Sequence, residues 1–352
     1  MSASQETETV PDGKMCDELT KRFAQVTGTD EACGHFFLQD CNWDLSRALD
    51  LFFDQSGSGD AGKPTAEGHH PPSVSPANEA SVASASSSKE GSEAQGLRVL
   101  SWNVDGLDDK ALNTRSKAVC DAISRCSADV VFLQEVIEET QAVVEKQLGG
   151  AYQLISGRNS NSHIPYYTVA LLKRNSSLQC KKVEVLPFPT TIMGRTLLKI
   201  EAERDGVPLL LLTSHLESTR EHARERKKQL TTLFQVASSA PAGTSVIAAG
   251  DLNARDEEID AVGGVPAGLE DAWVSCGSRQ FTQYTWDLAK NDNKVLSKFK
   301  PRCRFDRLYC SAEGQWRVDD FMLVGMERLR GPQCFPSDHW GILANFVRRV
   351  PK

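Results

Sequence analysis

The sequence predicts an α/β fold in which two packed sheets with flanking helices form one large domain behind a small helical module. From Gly96 to Lys352, strand-length apolar runs recur and alternate with helical patterns. Residues 55–95 are rich in Ser, Gly, Ala and Pro with almost no large apolar side chain, which predicts a disordered linker. Residues 16–54 show three short helical patterns, and the polar residues 1–15 are expected to form a flexible N-terminus.

Composition sets limits on the class of protein. The chain has 352 residues, of which 40% are hydrophobic and 25% charged, as in an ordinary soluble globular protein. The net charge of -7 argues against a general nucleic-acid coat, but one local basic groove could still bind DNA. No apolar run approaches the roughly 20 residues that cross a bilayer, so no membrane association is expected. The ten cysteines lack zinc-site spacing and are expected to be reduced thiols of an intracellular protein.

The large domain is predicted to contain nine strands and three helices. The strands are predicted at Arg98–Trp102, Val130–Leu133, Tyr167–Leu172, Leu197–Ala202, Leu209–Ser214, Val246–Ala249, Arg304–Cys310, Asp320–Val324 and Gly341–Phe346. The helices are predicted at Asp108–Cys126, Glu138–Leu148 and Ser218–Val236.

One apolar run, Ile247–Ala249, leads into Gly250 and then into an acid and an amide two residues apart. Residues i and i+2 of a strand point to the same side, so Asp251 and Asn253 should project together if the extended geometry persists. Such a pair can hold a water and a phosphate oxygen. A solvated turn is the alternative, because Asp and Asn are common turn residues.

Three further polar clusters favour a functional site over a turn, because each also follows a strand-like run. The four clusters are Ser101–Gly106, Phe132–Val136, Gly250–Asn253 and Pro336–Trp340. Strand ends and their loops are where α/β sites are usually built.

The acids and amides of these clusters suit a metal and a water nucleophile. Glu135 and Asp251 are the predicted ligands of Mg²⁺, for which Mn²⁺ is a candidate substitute. Asn103 can orient the Glu135 carboxylate or a metal-bound water. Asp251 can accept the proton of an attacking water, and Asn253 can hold that water or the phosphate.

The remaining polar groups suit a phosphate that gains charge. His339 can donate to a phosphate oxygen, and its neighbour Asp338 can reach the same centre. Asp306 could hold the His339 imidazole in one tautomer. Together these residue types predict metal-assisted hydrolysis of a phosphoester by water.

The motifs "SWNVDGL", "LQEV", "GDLN" and "SDHW" resemble the exonuclease–endonuclease–phosphatase superfamily, in the order expected of that family. The resemblance covers residues 97 to about 347. It implies a two-sheet α/β sandwich, with Mg²⁺ at the edge of the sheets. It also implies the roles given above for Asn103, Glu135, Asp251, Asn253, Asp306, Asp338 and His339.

Other stretches favour one branch of that superfamily. "TSHLESTREHARERKKQL" and "RFDRLYC" depart from the apurinic endonucleases, and the helical module is foreign to them. The chain resembles instead the branch that hydrolyses the 5′-phosphotyrosyl bond between topoisomerase II and DNA, leaving a 5′-phosphate. The expected partner is DNA with a 5′-tyrosyl or topoisomerase II peptide adduct, bound by a monomer. The alternatives are an apurinic/apyrimidinic endonuclease-type nuclease and a catalytically inactive ubiquitin-binding adaptor.

Two residues are predicted to contact DNA by their chemistry. Arg255 could clamp a phosphate, and Trp286 could stack on a base or sugar. For Trp286, packing in the core or at the rim is the alternative.

Four more substrate contacts follow from the resemblance. It implies that Tyr167 and Arg220 pair beside the adduct, and that His215 and Ser218 line a narrow DNA groove. For Tyr167 the alternative is again packing. For the basic residues from Arg220 to Lys228 it is a solvated helix face with ion pairs to neighbouring acids.

Residues 16–54 resemble the ubiquitin-associated-like family, with an Asp before the second helix and "NWDLSRALDLFF" as the third. The resemblance implies that the module binds ubiquitin or a ubiquitinated protein. A small helical dock for another partner is the alternative. The DNA substrate implies a nuclear protein, with the cytoplasm as a second location.

Overall fold

A computed structural model describes residues 13–27, 31–41, 43–49, 52, 96–159, 163–294 and 300–349. The chain divides into two compact units, Met1–Glu93 and Ala94–Lys352. The predicted linker 55–95 and residues 1–12 of the predicted flexible N-terminus 1–15 lie outside the described residues, whereas residues 13–15 are helical, so the first helix begins earlier than predicted.

The first unit is helical at the three predicted places. Its helices are α1 (Gly13–Thr27) and α2 (Glu31–Asp40), followed by a helical stretch at 45–49. Three aromatic rings form its centre: Phe23 and Phe37 stack at 5.4 Å between centroids, and Phe52 meets them edge-on at 5.6 and 5.3 Å. The fully buried Phe23, Phe37, Leu38 and Ala48 show how so short a chain can form an apolar core.

The second unit contains strands and helices in mixed order. Its strands are β1 (Leu97–Asn103), β2 (Val130–Val136), β3 (Tyr152–Ser156), β4 (Tyr167–Lys173), β5 (Leu178–Pro187), β6 (Thr196–Arg204), β7 (Val207–His215), β8 (Ser245–Asp251), β9 (Leu269–Asp271), β10 (Trp286–Asp287), β11 (Arg302–Cys303), β12 (Asp306–Ser311), β13 (Trp316–Val324) and β14 (Gly341–Arg348). Its helices are α3 (Leu112–Cys126), α4 (Glu138–Leu148), α5 (Ala223–Ser238), α6 (Asp256–Ala261) and α7 (Ala272–Ser275), with a 3₁₀ turn at Gln280–Thr282.

These strands form two six-stranded sheets and one short hairpin. The first sheet has the order β13-β14-β1-β2-β4-β3, and the second has the order β5-β6-β7-β8-β12-β9. Each sheet has one parallel pair at its centre, β1 with β2 and β7 with β8, and antiparallel neighbours on both sides. The hairpin pairs β10 with β11.

Three apolar clusters define a four-layer α/β/β/α sandwich. The central cluster joins inward residues of both sheets, such as Val99 and Phe132 with Ile200 and Ile247. The second packs α3 and α4 on the outer face of the first sheet. The third packs α5 on the outer face of the second sheet, with Leu230 at its centre. The structure confirms the predicted two-sheet α/β sandwich.

All nine predicted strands are present, but the sequence pattern missed β3, β5, β9 and the hairpin β10–β11. The alternation is hard to read in the edge strand β5, most of whose side chains are exposed or half-buried. The helices α3 and α5 begin later than predicted, because the preceding residues form turns around Arg115 and Arg226. Within the described part of the chain, no helix is both long and apolar enough to cross a membrane.

Candidate active site

Strand polarity brings the predicted polar clusters to one edge of the sandwich. The parallel strands β1, β2, β7 and β8 end there at or beside Asn103, Glu135, His215 and Asp251. The antiparallel neighbour β12 begins at that edge with Asp306, which pairs with Asp251. Strand β14 likewise begins two residues after His339.

Gly250 allows the two parallel strands of the second sheet to come close at this edge. A Cβ at Gly250 would lie 1.9 Å from the Ser214 carbonyl oxygen of β7. Close packing of the two strands therefore explains the glycine at this position. It also fixes the distance between His215 and Asp251, which are the next pair along the two strands.

Asp251 is the centre of the site. Its Oδ2 accepts a hydrogen bond from Asn103 Nδ2 at 2.9 Å. The same oxygen lies 3.4 Å from His215 Nε2 and 3.8 Å from His339 Nε2. Burial raises the pKa of the Asp251 carboxyl, the neighbouring His339 lowers it, and the net shift is upward. A raised pKa makes the carboxylate a stronger base for a water proton.

Asn103 joins the two predicted metal ligands. Its Nδ2 donates to Glu135 Oε1 at 3.1 Å as well as to Asp251, and its Oδ1 accepts from the backbone N–H of Asp105 at 2.9 Å. Because its one amide nitrogen donates to both carboxylates, Asn103 fixes the distance between them.

Glu135 stands at a strained point of the chain. Its φ of 55° is in the left-handed region, and a Cβ on Gly106 would lie 2.1 Å from the Glu135 carbonyl oxygen. Burial, followed by the nearby Asp338, raises the pKa of Glu135 to about 7. Burial and Asp338 also raise the pKa of Asp105 to about 6. Lys294 pairs with Asp105 at 3.0 Å and lowers its pKa, but burial outweighs this pairing.

A divalent cation fits this acidic group. A cation bound beside Glu135 would favour the ionised form of this buried carboxylate and offset its repulsion by Asp338. A second set of close donor atoms belongs to Asp251, Asp306 and His339, whose ligand atoms lie within 4.8 Å of one another. There the His339 ring is already engaged by Asp306, so the Glu135 side is the better place for a cation.

Asn253 does not reach the site in the predicted way. Its φ of 49° ends the extended geometry, so Asp251 and Asn253 are not successive residues on one strand face. Instead, the Asn253 N–H donates to Asp251 Oδ1 at 3.1 Å, and its Nδ2 donates to the Leu216 carbonyl at 3.3 Å. The turn offered as the alternative is therefore present, and it orients the Asp251 carboxylate.

His339 is a buried imidazole whose surroundings favour its cationic form. Its Nδ1 lies 2.7 Å from Asp306 Oδ2, as predicted. Asp306 and Asp251 outweigh the desolvation of the ring and hold the pKa of His339 well above its ordinary value. Its backbone N–H donates to Ser337 Oγ at 3.1 Å, and its carbonyl accepts from Trp102 Nε1 at 2.9 Å.

His215 has the opposite protonation state. Its Nδ1 lies 2.7 Å from a guanidinium nitrogen of Arg195, and burial and Arg195 hold the pKa of His215 well below its ordinary value. A guanidinium can only donate, so Nδ1 accepts and Nε2 carries the proton. Two imidazoles thus face Asp251, one neutral and one cationic.

Arg195 also contacts Ser218, whose Oγ accepts from its NH2 at 2.7 Å. The sequence resemblance placed His215 and Ser218 together, and the structure brings them together through this guanidinium.

Trp286 and Arg255 both lie against the ring of Phe305, and Trp286 also contacts the site. Trp286 donates through Nε1 to Asp338 Oδ2 at 3.2 Å. Its ring lies 5.6 Å from that of Phe305, and the Arg255 guanidinium lies 5.7 Å from the Phe305 ring. Trp286 is therefore in contact with Asp338, and the half-buried Phe305 ring lies between Trp286 and Arg255.

The structure contradicts the predicted place of Tyr167 beside the adduct, whereas the contact expected of Arg220 stays a prediction. Tyr167 is buried in the outer core of the first sheet, its hydroxyl donates to Gln141 at 2.7 Å, and the guanidinium over its ring is that of Arg158. The preceding residue, Tyr166, faces the site instead. Its ring lies 5.0 Å from the Arg195 guanidinium and 6.3 Å from the His215 ring.

The basic helix α5 agrees only in part with the alternative of a solvated, ion-paired face. Lys228 pairs with Glu225 at 3.1 Å, as expected of a solvated face. Arg226, in contrast, is fully buried and makes two contacts with Glu258, at 3.1 and 2.6 Å.

Sequence reasoning missed Tyr166, Arg195 and Glu217, which all belong to this edge. Glu217 lies between His215 and Ser218, which were both predicted to contact the substrate. That position in the sequence is the one feature from which Glu217 could have been predicted. Arg195 precedes β6 without any motif, so only its three-dimensional contacts reveal it.

Comparisons with known proteins agree with this geometry. Residues 100–339 match the endonuclease/exonuclease/phosphatase family, and residues 17–59 match the UBA-like domain. The tyrosyl-DNA phosphodiesterase 2 of Rattus norvegicus is 39% identical over 337 residues, covering 91% of this chain and 88% of that protein. The 5′-tyrosyl-DNA phosphodiesterase of Caenorhabditis elegans is 38% identical, covering 94% and 87%.

A solved structure is similar as well. The D. rerio tyrosyl-DNA phosphodiesterase 2, in complex with a single-strand DNA product, has a TM-score of 0.67 and 38% identity. The match covers 71% of this chain and 98% of that one. The chain belongs to the endonuclease/exonuclease/phosphatase family and, within it, to the tyrosyl-DNA phosphodiesterase 2 group.

Proposed function

We propose that this chain hydrolyses the 5′-phosphotyrosyl bond between a topoisomerase II tyrosine and DNA, releases the tyrosine and leaves a 5′-phosphate. One observation supports this most directly. Asp251, a buried carboxylate with a raised pKa, faces a neutral imidazole and a cationic one at the edge where Glu135 and Asn103 also meet. The named activities of the relatives supply the substrate class.

Asp251 is proposed to be the base. A water positioned near Oδ2 would lose its proton to this carboxylate as its oxygen attacks the phosphorus in line with the tyrosine oxygen. Asn103 holds Oδ2 by a hydrogen bond and the Asn253 N–H holds Oδ1, so the carboxylate cannot rotate away. The raised pKa strengthens its affinity for the proton.

His339 is proposed to stabilise the charge that develops on the phosphate. Asp306 keeps the ring protonated and oriented, so Nε2–H is a charged donor throughout the reaction. The phenol of tyrosine has a pKa near 10, far below that of a sugar alcohol, so its oxygen leaves as phenolate with little need for a proton.

The cofactor is proposed to be Mg²⁺, with Mn²⁺ as a substitute. Glu135 would hold the ion, with Asn103 orienting its carboxylate and Asp251 as the second candidate ligand. When bound, such a cation polarises a phosphate oxygen and neutralises charge in the transition state.

The decisive experiment measures tyrosine release from an oligonucleotide carrying a 5′-phosphotyrosine, with Mg²⁺ and with a chelator. An abasic-site duplex serves as the parallel substrate, because the related apurinic endonucleases would cleave it. Mg²⁺-dependent release with little abasic cleavage supports the proposal. Abasic cleavage without release would reassign the chain to the endonuclease branch, and no turnover on either would favour the adaptor.

The helical module is proposed to bind ubiquitin or a ubiquitinated protein. Its support is the match of residues 17–59 to the UBA-like domain, together with the helical core around Phe23, Phe37 and Phe52. Titration of the full chain with ubiquitin, followed by NMR, tests it. We also propose that the protein acts in the nucleus, with the cytoplasm as a second location, because its proposed substrate is DNA. A monomer is proposed to be the active form.

A further inference from the structure

We propose that Glu217 is a positioning residue, whose buried carboxylate holds Arg195 on His215 Nδ1 and so keeps the His215 Nε2–H directed at Asp251. Glu217 is two residues from His215 in the loop that follows β7. It acts through Arg195 and is not itself placed against the phosphate.

The Glu217 carboxylate fixes the loop that leads to Arg195. Its side chain is fully buried. Its Oε1 accepts from Thr191 Oγ1 at 2.9 Å, from the Ile192 N–H at 2.7 Å and from the Met193 N–H at 3.2 Å. Three donors from successive residues on one oxygen hold this loop to the end of β7. Because Arg195 follows two residues later, its position depends on this oxygen.

The second oxygen balances the charge of Arg195. Oε2 of Glu217 lies 3.5 Å from Arg195 Nε, and both side chains are nearly inaccessible to solvent. Neither atom has a hydrogen-bond partner. Among the described residues, Glu217 is the one carboxylate in an ion pair with Arg195. A buried guanidinium without such a partner would be strongly unfavourable, so Glu217 is what allows Arg195 to stay on His215.

The placement of Arg195 decides which way the His215 ring presents its proton. With the guanidinium donating to Nδ1, the proton is on Nε2, which lies 3.4 Å from Asp251 Oδ2 and 4.0 Å from Glu135 Oε1. The opposite tautomer would turn a lone pair towards both carboxylates and face the guanidinium with an N–H. Glu217 therefore excludes that tautomer indirectly, because it holds Arg195 in place.

The backbone at Glu217 is held by contacts that do not need its carboxylate. Its N–H donates to Gln229 Oε1 at 2.8 Å, and its carbonyl accepts from Arg226 NH1 at 2.8 Å. The substitution Glu217→Gln keeps an oxygen of similar size in a loop that remains anchored. It removes the charge that balances Arg195 and turns an NH2 group towards Arg195 Nε in place of Oε2.

The test compares Glu217→Gln with Glu221→Gln in the full chain. The second variant removes one negative charge from an exposed residue of the same segment. The first readout is the ¹⁵N spectrum of the His215 ring at neutral pH, without metal or substrate. The unaltered chain and Glu221→Gln should show one tautomer, with Nε2 protonated. Glu217→Gln should show a mixture of both.

The second readout is tyrosine release, and this part rests on the proposed function. Glu217→Gln should lower kcat about tenfold with KM within about twofold, because the tautomer acts on the reacting centre rather than on DNA binding. A single Nε2–H tautomer in folded Glu217→Gln would overturn the proposal, whatever the activity. If Glu217→Gln does not fold, Arg195→Met, which leaves Nδ1 without a charged donor, replaces it, and a single Nε2–H tautomer in that variant would overturn the proposal equally. The spectrum needs no turnover, so failure of the proposed function would be recognised separately.

Discussion

Asp306 and His339 form a buried charged pair in which the carboxylate Oδ2 lies 2.7 Å from the imidazole Nδ1. Asp306 is the first residue of β12 and is held by Thr285, whose Oγ1 accepts from its backbone N–H at 3.0 Å. His339 comes from the loop before β14, in the other sheet. The pair therefore connects the two sheets at the edge where the site is built.

The variant Asp306→Asn should lose stability most at acidic pH. The pKa of His339 is raised in the folded chain. The stability that its ion pair contributes is therefore fully present below the pKa of an unfolded histidine, about 6.5. This stability is lost as the pH rises through the pKa of His339 in the folded chain. The difference in the free energy of unfolding between the unaltered chain and the variant should therefore be largest near pH 6 and shrink towards alkaline pH. Urea unfolding at several pH values measures this, and a difference that grows with pH would contradict it.

Binding of a divalent cation should release a proton from Glu135. Its pKa of about 7 leaves the carboxyl about half protonated at neutral pH, whereas a metal ligand must be ionised. Calorimetric titration with Mg²⁺ at pH 7, in two buffers of different ionisation enthalpy, counts the protons released. Glu135→Gln should bind the ion weakly and release almost none. Tight binding by the unaltered chain with no proton release would show that Glu135 is not a ligand.

The substitution Gly250→Ala should damage the site through the backbone. The new methyl would lie 1.9 Å from the Ser214 carbonyl oxygen, so β7 and β8 must move apart. We expect a loss of about 3 kcal/mol or more in the free energy of unfolding, at the upper end of overpacking effects. Ala249→Gly, in the neighbouring strand position, controls for strand propensity and creates no such clash. Thermal unfolding and tyrosine release are the measurements, and a Gly250→Ala chain with unaltered activity would contradict the close approach.

The sequence could predict those parts of the site that stand at strand ends. Asn103, Glu135, Asp251 and His339 each follow or precede an apolar run, so strand polarity alone brings them to one edge. It could not decide between Tyr166 and Tyr167, because adjacent residues of a strand point to opposite faces and a shift of one position exchanges them. It mistook the geometry of Asn253, because an amide after a strand is equally compatible with a turn.

The contact between Arg195 and Glu217 was beyond sequence reasoning for another reason. They meet across two loops that are separated along the chain by strands β6 and β7. No local pattern encodes a contact of this kind.

Removal of residues 1–93 should leave hydrolysis of a short adduct unchanged. The unit Ala94–Lys352 contains both sheets, their helices and every residue of the site. Gly96 should be retained, because its carbonyl accepts from Arg204 NH2 at 2.9 Å at the start of β1. We expect kcat and KM within about twofold of the full chain. A large loss of kcat in a folded truncated protein would assign the first unit a part in the reaction.

Trp286 offers a test that separates stacking on DNA from support of the site. Its indole N–H donates to Asp338 Oδ2 at 3.2 Å, while its ring faces Phe305. Trp286→Phe keeps a smaller aromatic face and loses the N–H, whereas Trp286→Ala loses both the aromatic face and the N–H.

If the ring stacks on a base, KM should rise by about tenfold in Trp286→Ala and little in Trp286→Phe, since stacking contributes about 1–3 kcal/mol per base. If the N–H to Asp338 matters more, both variants should lose kcat to a similar degree. Measuring kcat and KM with a 5′-phosphotyrosyl single strand distinguishes the two roles. Equal KM values for all three chains would exclude stacking at this position. Arg255 would then be the remaining candidate of the two residues predicted to contact DNA by their chemistry.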